Sequence, residues 1–191
     1  MKVSREEAAA NRDRIVDVAS KLFREKGFDG ISVADLMKEA GLTHGGFYGH
    51  FASKDQLAQE ASHRSVERSL KRWSEVAGGA GDHAFAALVK SYLSEQHVSS
   101  PGSGCLFTAL AADASRQGKT VRRVFAEGFE KLVAILANGA PGRTKAEKRK
   151  RAIAAFSEMV GAIILARAVN EPQLADEILR TAAFDLTSRQ T

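Results

Sequence analysis

Cysteine occurs once in the 191-residue chain, at Cys105. That excludes an internal disulfide framework and any zinc or iron–sulfur site built from several thiolates. Proline occurs three times, at Pro101, Pro141 and Pro172, each beside Gly, Ser or Glu, so these residues punctuate the chain and kink no periodic segment. Period-two runs of β-branched residues are missing, which argues against sheet. The most apolar stretch, residues 152–169, is interrupted by Glu158 and Arg167 and does not read as a membrane span. The opening Met1-Lys2-Val3-Ser4-Arg5-Glu6-Glu7 carries acids where a secretory signal needs apolar residues, so the cytoplasm is the expected compartment. Acid is itself lacking in one place: no Asp or Glu occurs from Gly41 to Lys54.

Hydrophobic residues make up 44% of the chain, and a chain of this length should bury roughly 70% of its unfolded surface, enough for a real core. Apolar residues recur at spacings of three and four, which predicts an all-α fold of about nine helices. The first runs from about Ala8 to Lys26, with Ile15, Val18, Ala19, Leu22 and Phe23 on one stripe and Gly27 as its stop. Ser32 caps a short helix over 33–40, and a second short helix covers about 43–49, with Thr43 as its cap. Ser53-Lys54-Asp55-Gln56 reads as a capping box that opens a long helix to about Ala77. Gly78-Gly79-Ala80-Gly81 is the clearest break; a unit boundary falls there or within the long helix. Further helices are expected at about 82–98, 104–116, 120–138, 145–169 and 172–186. Thr144 and Glu147 form a second capping box, and Pro172 suits a first helical turn. The last two helices carry broad apolar faces with interleaved small residues, which suits either an ordinary core layer or a four-helix homodimer interface.

Residues 33–49 carry the strongest functional signal. Two short helices joined by Ala40-Gly41-Leu42 have the turn length and glycine content of a helix-turn-helix, whose second helix enters a major groove. Thr43 and His44 offer hydrogen-bonding groups at its start, while Gly45 and Gly46 let backbone approach sugar-phosphate. Phe47 and Phe51 should face inward as anchors, and Tyr48 and His50 should turn polar tips outward. The acid-free window matters more than the net charge of +5, because residues 1–75 hold 13 Lys+Arg against 12 Asp+Glu, and most of the excess lies elsewhere. His44 and His50, six apart, fall on different faces, so no metal pair is expected. His44-Gly45-Gly46 has no nucleophile elbow to accompany it, and Gly102-Ser103-Gly104 lacks the third glycine of a dinucleotide fingerprint, so no enzyme and no cofactor are expected.

Across Ile15…Ala19…Leu22-Phe23…Gly27-Phe28…Ser32-Val33…Leu36…Ala40-Gly41-Leu42-Thr43-His44-Gly45-Gly46-Phe47-Tyr48-Gly49-His50-Phe51-Ala52-Ser53-Lys54-Asp55-Gln56-Leu57, the chain resembles the TetR family of transcriptional regulators. The likeness covers about the first third; the remainder matches only in helix number and length. It implies a helix-turn-helix DNA-binding domain over 1–57 and a helical domain over 58–191 for effector binding and dimerisation. It further implies a homodimer, joined through the last two helices, on a palindromic double-stranded operator, and a repressor released by a small-molecule effector. By family position Thr43, His44, Gly45 and Tyr48 contact bases and backbone, Lys54 and Ser32 contact phosphates, and His50 adds a polar tip. Gly49 departs from the pattern, having no side chain where many relatives carry an aromatic or basic one.

Trp73, Phe85, Tyr92, Phe107, Phe125, Phe129 and Met159 are the large side chains available to line an effector cavity. Cys105, expected at a helix N-terminus where the dipole lowers a thiol's pKa, is either a redox or electrophile sensor or a small buried packing residue. Two other readings stay open: a helical small-molecule-binding protein without DNA recognition, and a thiol enzyme acting through Cys105.

Overall fold

Caps and glycines set the helix ends in the computed structural model, which describes residues 4–188. Helix α1 (Arg5–Lys26) begins three residues before the apolar stripe suggests, because the Ser4 hydroxyl accepts the Glu7 N–H at 3.0 Å and Glu6 and Glu7 favour the positive end of the helix. It stops at Gly27, whose φ of 79° a side chain rarely adopts. Next come α2 (Val33–Glu39) and a short 3-10 segment, His44–Gly49. Helix α3 (Lys54–Ala80) then passes straight through Gly78 and Gly79 and ends only where Gly81 takes φ 53°. The expected break at 78–81 is therefore a helix end, not an interruption.

The remainder comprises α4 (Ala84–Tyr92), α5 (Glu95–Ser99), α6 (Leu106–Ala114), α7 (Lys119–Gly139), α8 (Lys145–Ala168) and α9 (Pro172–Ser188), with short 3-10 turns at 81–83 and 101–103. No strand occurs among the described residues, and no helix among them is long and apolar enough to cross a membrane. One departure from the sequence reading matters. The helix expected over 82–98 is split, because Leu93 leaves helical geometry (ψ 70°) and Ser94 caps a new helix by accepting the His97 N–H. Freed from α4, the Tyr92 carbonyl accepts a hydrogen bond from His97 Nδ1 at 2.8 Å. The box at Thr144 forms as expected, with Glu147 N–H to Thr144 Oγ1 at 3.1 Å and Glu147 Oε2 accepting from the Thr144 N–H.

Helix α3 is the central strut, packed on α1 near its start and on α4 and α7 farther along, while α8 lies between α7 and α9. The α3–α7 crossing depends on Gly128: a Cβ there would lie 2.8 Å from Val66 Cγ2 and 3.1 Å from Cγ1, on a stiff and buried side chain. Gly128→Ala is thus expected to destabilise the protein by about 1–3 kcal/mol through overpacking. Adding Val66→Ala should return most of the loss. Urea unfolding of the three variants checks this, and additive effects would contradict it.

Candidate nucleic-acid interface

The turn after α2 is built from backbone. Ala40 N–H bonds to Leu36 O at 3.0 Å, Leu42 N–H reaches back to Met37 O at 2.8 Å, and Gly41 between them takes φ 70°. Thr43 follows in extended geometry at the cap position, but its hydroxyl makes no capping bond, contrary to the expected cap role. The segment His44–Gly49 is a 3-10 helix, not the α-helix its spacing suggested, with Gly46 N–H bonded to Thr43 O and His50 N–H to Phe47 O. At three residues per turn, Gly45 and Tyr48 share one face. That face is open: a Cβ on Gly45 would meet nothing within 4 Å, and Tyr48 is 69% exposed.

Behind it, Phe47 and Phe51 are buried as expected, their ring centroids 5.6 Å apart, and the Tyr48 ring stands edge-on to Phe47 at 5.2 Å. Arg12 on α1 places its guanidinium 4.6 Å from the Phe51 centroid and pairs with Glu60 on α3 at 2.6 Å. Arg14 Nη1 leans on Ala40 O at 3.4 Å, so α1 holds the turn from behind. These contacts fix the aromatic platform on which Tyr48 is displayed.

The side chains of Thr43, His44 and Lys54 enter no hydrogen bond or ion pair among the described residues, which leaves their polar groups available to a partner. His50 is half-buried, its ring 6.4 Å from that of Phe51, so it turns outward less than expected. Ser32 is differently placed. Its hydroxyl accepts the Asp35 N–H at 3.1 Å and donates to Asp35 Oδ2 at 2.6 Å, and that bond holds the Asp35 carboxyl below its usual pKa. Its proton is already committed, so Ser32 acts first as a cap. At the start of α3, Ser53 Oγ accepts the Gln56 N–H at 3.1 Å, while Gln56 Oε1 reaches one residue beyond the expected partner, to the Ala52 N–H at 2.8 Å. Lys54 is thereby set on the first turn, beside the 3-10 segment. Gly49, like Gly45, faces open space.

The seven large residues expected around an effector cavity come together, but as packing. Trp73 meets Tyr92 edge-on at 5.7 Å, and Phe107 lies 5.3 Å from Phe125 and 6.1 Å from Phe129; Phe85 and Met159 are buried. Phe156, which sequence reasoning did not single out, sits among them, 5.4 Å from Trp73 and 5.3 Å from Phe107. An open groove of about 700 Å³ lies elsewhere, between α4–α5 and α8–α9, with Lys90, Leu93, Val98, Arg167 and Leu179 on its walls.

Cys105 caps α6, as expected, but its thiol is shifted in the opposite direction. It is 1% exposed, and burial raises its pKa despite the opposing influence of the nearby Tyr92 hydroxyl and of the Phe107 and Thr108 amides. Desolvation of a thiolate outweighs the helix dipole here. The Tyr92 hydroxyl faces this sulfur, finds no well-formed hydrogen bond, and is itself pushed well above the usual phenol pKa by burial. His97 completes the cluster: Nδ1 donates to Tyr92 O and Nε2 accepts the Cys105 N–H at 3.0 Å, which fixes a neutral tautomer. Burial, against the opposing bond to Tyr92 O, pushes the His97 pKa down to about 4. Arg167 from α8 donates to Val98 O, His97 O and Thr108 Oγ1, tying α5 to α6. Neither His97 nor Arg167 was foreseen as a site residue, and the only signal was a polar residue inside an apolar helical pattern.

The family described as bacterial regulatory proteins, tetR family, matches residues 15–61. An HTH-type transcriptional regulator UidR of Escherichia coli K12 is 32% identical over 110 residues, covering 58% of this chain and 55% of that protein. A Staphylococcus aureus (strain USA300) HTH-type regulator, SAUSA300_2515, is 33% identical over 72 residues, 38% of this chain and 39% of its own. The matched region thus spans about half or less of these curated relatives. Among solved structures, a TetR transcriptional regulator from Chloroflexus aurantiacus superposes with a TM-score of 0.76 at 25% identity, over 96% of this chain and 95% of that one. The reduced form of Escherichia coli NemR gives 0.79 at 22% identity, covering 94% and 96%, a likeness of fold.

Proposed function

This chain belongs to the TetR family of bacterial regulatory proteins, and from that premise we propose that it is a cytoplasmic, sequence-specific DNA-binding repressor released from its operator by a small-molecule effector. The observation that carries the reading is the display of Tyr48, 69% exposed, on a platform of fully buried Phe47 and Phe51, within a window free of acid from Gly41 to Lys54. A carboxylate in this window would face phosphates at close range. Thr43, His44 and Tyr48 read base edges or backbone, Gly45 lets the chain approach sugar-phosphate, and Lys54 contacts a phosphate. Ser32 and His50 stand at the edge of this contact, Ser32 through a hydroxyl that must first release Asp35.

The DNA-binding unit ends near residue 57, and the rest senses and dimerises. For the dimer, α8 and α9 leave Ile164, Leu165, Leu174 and Phe184 exposed, and Leu165 and Leu174 line a shallow groove between them. A second copy covering this face makes a two-fold contact, and two recognition segments then meet successive major grooves about 34–36 Å apart. The effector, an apolar or weakly polar molecule, enters among Trp73, Phe85, Tyr92, Phe107, Phe125, Phe129 and Met159 by parting their rings, or takes the open groove beside α9. Either way it must bind the released arrangement more tightly than the DNA-competent one. Cys105 does not support a second, thiol-based reading, because a buried thiol of raised pKa holds little thiolate.

A gel shift on DNA upstream of the protein's own gene, over a range of salt, tests the reading. Wild type should bind a discrete sequence with affinity falling steeply with salt. Lys54→Ala should flatten the log–log salt slope by about 1.8, the value of the two phosphate contacts a dimer loses, and Tyr48→Ala combined with Lys54→Ala should abolish the specific complex. Weak binding that ignores sequence, or none, would sink the proposal.

A further inference from the structure

The cleft between α1 and α3 gathers charge that the chain does not neutralise. Lys21 and Arg24 from α1 and Arg68 and Arg72 from α3 line a cavity of about 380 Å³, with Ser69 and the turn at 102–104 closing it. Asp17 is the one carboxylate in that lining, and its Oδ1 already serves Arg64 and, at 2.8 Å, Arg68. Glu25, outside the lining, makes a loose 3.9 Å pair with Lys21. Arg24 is only 6% exposed, yet both its hydrogen bonds go to a neutral acceptor, Gly102 O, from Nε at 3.1 Å and from Nη2. The Arg72 side chain forms no hydrogen bond or ion pair among the described residues. The Ser69 hydroxyl, on a residue 6% exposed at the same wall, also has no partner.

This arrangement is costly as it stands. Like charges three and four apart on a helix repel, as Lys21 and Arg24 do on α1 and Arg68 and Arg72 on α3. A buried guanidinium bonded only to a carbonyl oxygen, with the Glu25 carboxylate nearby but not hydrogen-bonded to it, adds a desolvation penalty. Burial first, and then the neighbouring Arg68, lowers the Arg24 pKa to about 10, which still leaves it cationic at neutral pH. An anion resolves each of these terms together. Planar guanidinium donors and a free hydroxyl converging on one cavity are the donor set that recognises phosphate oxygens.

We propose that the α1–α3 cleft is a binding site for a small phosphate-bearing anion, held by Arg24, Arg68, Arg72 and Ser69. The site is separate from the DNA-facing surface, since Arg68 and Arg72 lie about 20–27 Å along α3 from Lys54 at 1.5 Å per residue. The cavity volume suits a phosphate group with a small organic substituent, or free phosphate. Because its walls are α1, α3 and the turn that leads into α6, an occupant clasps the helices around the DNA-reading segment to the helices beyond.

Thermal unfolding and calorimetric titration test the site with two probes, inorganic phosphate and glycerol 3-phosphate, against chloride at matched ionic strength. Wild type should gain about 3 °C in Tm at saturating probe. Arg72→Gln, at an exposed side chain that makes no hydrogen bond or ion pair, should keep the unliganded Tm and weaken binding at least about tenfold; Ser69→Ala should weaken it less. Tighter binding of the monoester identifies a phosphorylated metabolite as the ligand, and tighter binding of inorganic phosphate identifies the free ion. No response to either probe, or an equal response in wild type and Arg72→Gln, would overturn the proposal. None of these readouts involves DNA, so they stand or fall independently of the repressor reading.

Discussion

Phe47→Ala is expected to lower stability by about 3–5 kcal/mol, the cost of emptying a fully buried aromatic site, whereas Tyr48→Ala, one residue on, should change it by no more than about 0.5 kcal/mol. Both variants should lose operator binding, for different reasons. Phe47 has no exposed surface and stacks on Phe51, which Arg12 covers from α1, so its removal leaves a cavity where α1, α2 and the 3-10 segment meet. The short segment His44–Gly49 has only six residues of its own and cannot hold its shape without that anchor. Tyr48 contributes little to the core and much to the surface. Urea unfolding followed by circular dichroism, beside the gel shift, separates the two. If Tyr48→Ala proves as destabilising as Phe47→Ala, the outward display of Tyr48 is wrong, and with it the argument for the interface.

The second large effect concerns acid. His97 is held neutral in the fold, with a pKa pushed down to about 4, while in the unfolded chain it titrates near 6.5. Below pH 6.5 the unfolded state therefore binds a proton that the folded state refuses. Stability is flat above that value, declines as pH falls, and levels off again near pH 4, a total loss of about 3 kcal/mol from this one group. The structural cause is specific: a proton on Nε2 would break the bond that accepts the Cys105 N–H. Carboxylates titrate mostly below pH 5, so the interval from pH 6.5 to 5 reports on the histidines, and the variant singles out His97 among them. His97→Gln, which does not titrate, should lose the slope in that interval; a slope equal to that of wild type would show that another group is responsible.

Much of this fold is legible in the sequence because caps and stripes are local. Thr144 with Glu147, Gly27 after an apolar stripe, and Pro172 at a first turn each depend on a few neighbours, and each stands where the pattern put it. The burial of Phe47 and Phe51 was equally readable, since the polar residues around them leave only one apolar face. What escaped depends on contacts between distant segments. Ser94 looked like an ordinary polar residue in an apolar helix, but it starts α5, and the bend brings His97 to Cys105. The position of Cys105 at a helix start was visible, but the helices that bury it were not, and burial reverses the sign of its pKa shift. The cations of the α1–α3 cleft are far apart in sequence and converge only when the two helices pack. The difference between an α-helical and a 3-10 recognition segment lies in backbone bonds that spacing alone does not distinguish.

The continuity of α3 has a mechanical consequence. A helix unbroken from Lys54 to Ala80 is a lever about 40 Å long at 1.5 Å per residue. If packing changes among the helices at its far end tilt it by about 5°, Lys54 and the segment beside it swing through about 3.5 Å, more than the length of a hydrogen bond. In the two-fold dimer proposed above the displacements add, so the span between the two reading heads changes by up to about 7 Å while DNA keeps its period of about 34–36 Å. A rotation too small to disturb either core is thus enough to move both heads out of register with the double helix.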